Sequence, residues 1–211
     1  SRGLGDVYKR QHQIMKIGIY GGSFNPVHIG HTSLAQAICE QKLVDEVWLV
    51  VSPLNPFKRN MSEELLDDRV RLKMAEIAVE GIKCIKVSDI EFDMPKPSYT
   101  FDTLKVLKEK YPQHEFCLII GADNWLAFRK WYKSDEIMAN HQIIVYRRPG
   151  CEIDLNNVPE NVTVASTDLF DISSTQIREG IRNGADVSKY LNPEVLAYIN
   201  ANGLYKGQNE A

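Results

Sequence analysis

Two short runs in this chain are apolar at almost every position: Glu46–Val51 (EVWLVV) and Glu115–Ile120 (EFCLII). A strand with one wet face alternates apolar and polar residues, so a continuous run needs cover on both faces. Further strand-like segments are Lys16–Tyr20, Ile82–Val87, Ile143–Tyr146 and Val162–Ala165. Between them stand segments with helical spacing. His31–Gln41 carries Leu34, Ala35, Ala37 and Ile38. A second helix is expected to start at a Ser62-Glu63-Glu64-Leu65 cap and run to about Glu80, with Leu66, Val70, Met74 and Ile77 inward. Tyr99–Tyr111, Ser173 to about Arg182, and Pro193–Asn202 ending at Gly203 complete the set. Strands and helices alternate along the whole chain, which predicts an α/β fold: an open parallel sheet with helices on both faces. Right-handed crossovers then bring every strand C-terminus to one edge, where such sheets bind ligands. Loops that begin at Gly21, Pro53 and Gly121 follow strands and are expected to line that edge.

The totals narrow the function. A chain of 211 residues suits one domain with its own core. We expect a domain over residues 15–206, preceded by a non-native or disordered leader (1–14, polar, basic and without period) and followed by a tail (207–211). No run of ~18 apolar residues is present to form a membrane-spanning helix. The net charge of -3 and the lack of a basic stripe argue against a nucleic-acid partner. Cys39, Cys84, Cys117 and Cys151 are widely spaced, without the pairing of a zinc ribbon or redox motif. Free thiols and a cytoplasmic setting are expected.

The chemistry concentrates in Gly21-Gly22-Ser23-Phe24-Asn25-Pro26-Val27-His28-Ile29-Gly30-His31. The glycine pair lets backbone amides approach a ligand closely. His28, Gly30 and His31 fall where a helix should begin, and a helix start offers free N–H groups and a positive dipole end to an anion. Two imidazoles one turn apart suit a polyphosphate. No nearby Cys, Asp or Glu completes a metal set around them, so no protein-built metal site is expected. A second segment, Ile172-Ser173-Ser174-Thr175-Gln176-Ile177-Arg178, combines a helix cap with hydroxyls and a guanidinium that suit phosphates.

The first segment resembles the H-x-G-H signature of the nucleotidyltransferase superfamily, whose members have a Rossmann-like fold and transfer a nucleotidyl group with release of pyrophosphate. The second segment resembles that superfamily's Ser/Thr-rich helix start. Over nearly all of Met15 to Tyr205, the chain resembles the bacterial nicotinate mononucleotide adenylyltransferases. The resemblance rests on Gly21–His28, Lys58, Arg71-Leu72-Lys73-Met74, Pro97–Thr103, Ile120–Asn124 with Lys130-Trp131-Tyr132, and Arg147-Arg148-Pro149-Gly150. It implies transfer of the adenylyl group of ATP to nicotinate mononucleotide. His28, His31, Lys58 and Arg178 would act on the phosphates. Gly21, Gly22, Ser23, Phe24, Gly30, Gly121, Asp123, Ser173, Ser174 and Thr175 would hold ATP. Asn25, Thr100, Trp131, Tyr132 and Arg148 would hold the mononucleotide, and Mg²⁺ would travel with the ATP phosphates. Phe57 stands where the family often has histidine, which leaves that imidazole's role unfilled. Other acceptors, phosphopantetheine or nicotinamide mononucleotide, and a non-catalytic nucleotide-binding regulator are the competing readings.

Overall fold

The structure is a computed structural model and describes residues 13–53, 65–168 and 170–207. The expected leader (except for its last two residues), the loop with Phe57 and Lys58, and the Ser62–Glu64 cap lie outside the described residues.

Six strands form one parallel sheet: β1 (Lys16–Gly22), β2 (Glu46–Val51), β3 (Ile85–Ser88), β4 (Glu115–Gly121), β5 (Ile143–Tyr146) and β6 (Val162–Val164). Their order across the sheet is β3-β2-β1-β4-β5-β6. The helices are α1 (Ile29–Glu40), α2 (Asp68–Val79), α3 (Thr100–Lys110), α4 (Ala122–Ala127), α5 (Ser134–Asn140), α6 (Ser174–Arg182) and α7 (Pro193–Ala201). The expected α/β architecture is therefore present. β1 pairs with β2 on one side and β4 on the other, so the strand order reverses between β1 and β4. A crevice opens at such a reversal, outside the strand C-termini.

Side-chain alternation along β4 shows why its sequence is apolar throughout. Cys117 and Ile119 join the core beneath α1, α2, α6 and α7, with Leu34, Ile38, Met74, Ile177 and Ile199. Phe116, Leu118 and Ile120 join the opposite core, with Leu104 and Leu107 of α3 and Ile137 of α5. Each successive residue is buried, on alternate faces.

The elements depart from the sequence reading in several places. The second helix begins at Asp68, capped by the Asp67 carboxylate, which accepts from the Arg69 amide at 2.9 Å. β3 begins at Ile85, since Ile82 closes a turn onto Val79. Helices α4 and α5 were not anticipated. They have 6 and 7 residues, too short for a helical period to stand out.

One side chain ties the sheet edge together. Arg71 of α2 is completely buried. Its Nη1 donates to the Ser23 carbonyl at 2.8 Å and the Ser52 carbonyl at 2.7 Å. Its Nε donates to the Leu66 carbonyl at 2.8 Å, and Nη2 meets Asp68 at 2.6 Å. The loops leaving β1 and β2 are thus pinned to one guanidinium, whose planar fork a lysine lacks. Arg71→Ala would leave buried carbonyls unpaired and should cost about 3–5 kcal/mol in urea unfolding. Arg71→Lys should recover only part of it. An unchanged unfolding midpoint for Arg71→Ala would contradict this role.

Candidate active site

The first amides of a helix have no partner inside it and must find one. At α1 the partners are imidazoles. His28 is the cap: its Nδ1 accepts from the Gly30 amide at 3.0 Å, while its carbonyl accepts from the His31 and Thr32 amides. The His28 amide in turn donates to Nδ1 of His31 at 3.1 Å. Both Nδ1 atoms are acceptors, so in each neutral ring the proton sits on Nε2. The rings lie 3.8 Å apart, centroid to centroid. Burial pushes the His28 imidazole down to about 4, helped by the Arg148 charge. Burial also holds His31 well below the usual histidine value, with His28 and Arg148 adding to it. At neutral pH the pair is two uncharged Nε2–H donors.

The packing explains the neighbours. Phe24 is buried, with φ of 48°, and its ring meets His31 edge-on at 4.9 Å. It supports the histidine from below, so any contact of Phe24 with ATP is through its backbone. Gly30 has no room for a side chain: a Cβ would lie 2.7 Å from Cε1 of His28 and 2.9 Å from Nδ1. Gly121 is similar, since a Cβ there would lie 2.7 Å from the Asp123 carboxylate and 2.9 Å from Arg148 Nε.

Two clefts open at the sheet edge. The first, of about 190 Å³, is lined by His28, Gly30, His31, Arg148, Ser173 and Ser174, with Asp168 and Phe170 at its border. The second, of about 210 Å³, is lined by Gly21, Gly22, Gly121, Thr100 and Trp131, with Glu91 and Ser98. Tyr20 and Tyr146 line both and form the wall between them, their rings 5.7 Å apart.

The second sequence segment joins the first cleft through α6. Ser173 is its cap, accepting from the Gln176 amide at 3.2 Å while Gln176 accepts from the Ser173 amide at 3.0 Å. Ser174 donates its hydroxyl to the Pro26 carbonyl at 2.9 Å. Arg178 donates to the Asn25 carbonyl at 2.9 Å and to the Thr175 hydroxyl at 3.2 Å. The two segments, some 140 residues apart in the chain, are directly bonded.

The structure divides the expected residues between the two clefts and places some outside both. Gly21, Gly22 and Gly121, expected on ATP, line the second cleft. Arg148, expected on the mononucleotide, lines the first; it pairs with Asp123 at 3.3 Å and donates to the Tyr146 hydroxyl at 3.3 Å. Asn25 is buried, and its Oδ1 accepts from the Tyr205 hydroxyl at 2.6 Å, which makes it a structural tie. The Ser23 carbonyl serves Arg71. Tyr132 stands exposed beside Tyr99, 4.9 Å between centroids, and does not line the second cleft. Lys58 lies outside the described residues. Sequence reasoning passed over Tyr20, Tyr146 and Glu91. Ser98 stood only within the Pro97–Thr103 motif, without a role of its own; its hydroxyl is buried with no hydrogen-bond partner in that cleft.

Comparison with known proteins identifies the family. Residues 19–180 match the cytidylyltransferase-like family. A probable nicotinate-nucleotide adenylyltransferase of Bacteroides fragilis is 48% identical over 87% of this chain and 90% of its own. Its counterpart in Bacteroides thetaiotaomicron is 46% identical over 88% and 91%. The chain belongs to the nicotinate-nucleotide adenylyltransferase family. A putative member from Vibrio parahaemolyticus superposes with a TM-score of 0.68 at 26% identity, covering 92% of this chain and 98% of that one. The Plasmodium falciparum nicotinic acid mononucleotide adenylyltransferase, complexed with NaAD, shares the fold with a TM-score of 0.75 at 23% identity, over 92% and 99%.

Two measurements test the imidazole geometry. In an NMR titration of the free protein, His28 should protonate near pH 4, not near 6.5. Both folded values lie below the unfolded one, so the unfolded state takes up protons first as pH falls. Stability should therefore drop from about pH 6.5 downward. A His28 midpoint near 6.5 would contradict the buried neutral pair. Gly30→Ala should displace the His28 ring and cut turnover at least about 10-fold, from partial loss of one oriented donor, while circular dichroism stays unchanged. Full activity would contradict it.

Proposed function

We propose that the histidine cleft holds the triphosphate of ATP and the second cleft holds nicotinate mononucleotide, so that the two meet at the Tyr20–Tyr146 wall. The observation that carries this reading is the juxtaposition itself. Two neutral Nε2–H donors at a helix N-terminus face one side of the wall, and an aromatic, hydroxyl-lined cleft lies on the other.

An oxygen of the mononucleotide phosphate attacks the α-phosphorus of ATP. The new bond joins that oxygen to the α-phosphorus, and the bond to the bridging oxygen of the β-phosphate breaks. Pyrophosphate leaves with the electron pair, and the products are deamido-NAD and pyrophosphate. The nucleophile is already an anion, so no residue needs to take a proton from it. Positioning and charge stabilisation supply the rate. His28 and His31 donate to the phosphate oxygens on which charge grows. A neutral donor can strengthen its bond in the transition state without holding the product pyrophosphate as a fixed cation would. Arg148, Ser173 and Ser174 surround the same space, Asp123 orients Arg148, and Arg178 keeps α6 against the β1 loop. Lys58, on the loop after β2, is a further candidate for phosphate contact.

Mg²⁺ fits as a companion of the nucleotide. Among the described residues no group of three His, Cys, Asp or Glu is placed to hold an ion. Asp168 is the carboxylate in the described lining of the histidine cleft. Phosphate oxygens and water would make up most of the ion's shell, and it would supply charge neutralisation there. On the acceptor side, Trp131 can stack on the cationic pyridinium, and the unpartnered Ser98 hydroxyl and Thr100 can donate to the ring carboxylate. We place this activity in the cytoplasm, where the four free thiols fit a reducing compartment. No helix among the described residues is long and apolar enough to cross a membrane.

A pyrophosphate-release assay with ATP and either mononucleotide tests the reading. Release should be faster with the nicotinate form. His31→Ala should lower turnover by about 10²–10³, the cost of one oriented donor, with the fold retained. Near-normal turnover in His31→Ala would sink the phosphate role. A faster rate with the amide form would overturn the acceptor.

A further inference from the structure

Glu91 is the one carboxylate in the described lining of the second cleft, and the mechanism above gives it no task. It lies in the turn that follows β3. That turn is held by the Ile90 amide on the Ser88 hydroxyl (3.2 Å), the Phe92 amide on the Asp89 carbonyl (2.9 Å) and the Met94 amide on the Glu91 carbonyl (3.2 Å). The Thr103 hydroxyl donates to Glu91 Oε2 at 3.1 Å. The same hydroxyl is 3.2 Å from the Tyr99 carbonyl, so its single proton serves two acceptors. A carboxylate can accept about four hydrogen bonds; Glu91 has at most one. Burial pushes its carboxyl up to about 6, and the Thr103 bond only partly offsets this. A half-buried carboxylate short of partners in a cleft is a candidate for contact with a ligand.

Charge then selects the partner. The described lining of this cleft holds no Lys, Arg or His; its other titratable groups are Tyr20 and Tyr146. A nucleotide with an anionic phosphate and an anionic ring substituent must keep both away from Glu91. The donors left on such a ligand are its sugar hydroxyls. We propose that Glu91 binds the ribose of the acceptor mononucleotide, taking a hydrogen bond from its 2′- or 3′-hydroxyl while Thr103 orients the carboxylate. This rests on the assignment of the second cleft to the acceptor.

The test is a cycle between enzyme and substrate. Glu91→Gln keeps the shape and removes the charge. Its KM for nicotinate mononucleotide should rise about 10- to 100-fold, the range of a hydrogen bond to a charged group. KM for ATP and kcat should stay within about 2-fold, since uniform binding alone is lost. With the wild-type enzyme, either the 2′-deoxy or the 3′-deoxy acceptor should show a comparable rise in KM, and in Glu91→Gln that penalty should largely vanish. Glu91→Asp, which withdraws the charge by one methylene, should also raise the acceptor KM and serves if Glu91→Gln fails to fold. Equal deoxy penalties in wild type and variants would overturn the ribose contact and leave Glu91 a support for Thr103. No pyrophosphate release with any nicotinate mononucleotide would instead overturn the assignment of the cleft.

Discussion

The amides at the start of α1 must be capped, and everything else at the site depends on imidazoles doing it. A serine or aspartate cap would satisfy the same amides more simply. Aspartate would also set a negative charge against an incoming phosphate. An imidazole accepts the amide through Nδ1 and still carries a donor on Nε2, so one ring both ends the helix and faces the ligand. The reciprocal bonds, Gly30 amide to His28 and His28 amide to His31, fix both tautomers before any substrate arrives. Preorganisation of this kind means that little reorientation is needed when charge develops.

That cap is only as well placed as the loop before it. Phe24 lies under His31 in a left-handed conformation that costs a bulky residue of order 1–3 kcal/mol. Arg71, Arg178 and Tyr205 hold the adjoining atoms: the Ser23 carbonyl, the Asn25 carbonyl and the Asn25 side chain. They come from α2, α6 and the segment after α7, so the loop is braced from three distant parts of the chain. The strand order supplies the rest. Because β1 and β4 are adjacent, the glycines ending each strand and the tyrosines of β1 and β5 converge on one wall with a cleft on each side.

Much of this was legible in the sequence, and the exceptions share a cause. Strands β2 and β5 were read to the residue because a doubly covered strand leaves a continuous apolar run. The two segments that meet at the histidine cleft were legible because each pairs a helix start with unusual polar residues. Partition between the clefts was not legible: it depends on which side of the wall a residue emerges, which follows from strand order and not from spacing. Which cleft Arg148 or Gly121 would border could not be read from spacing for that reason. Asn25 reads as a ligand because it is polar and sits in the motif; the bond its side chain accepts from Tyr205, 180 residues away, leaves no local signal. Glu91 carried no signal, since a glutamate in a polar turn reads as solvated until Thr103 and the cleft are brought against it.

The distribution of charge bears on turnover. Both substrates are multiply anionic, yet among the described residues lining the two clefts Arg148 is the one fixed cation, and it is shared with Asp123. The histidines beside it are kept neutral by burial. On the proposed assignment, the described part of the site would meet phosphate largely through amides, hydroxyls and neutral imidazoles, with Lys58 and an ion brought by the nucleotide as the further charges. A site dense in fixed cations would bind ATP and pyrophosphate alike and would slow release of product. Dipolar donors instead reward the geometry in which charge is being transferred, and they loosen their hold when pyrophosphate departs. The low net charge of the chain is compatible with that reading, since oriented dipoles and local cations do not depend on bulk potential.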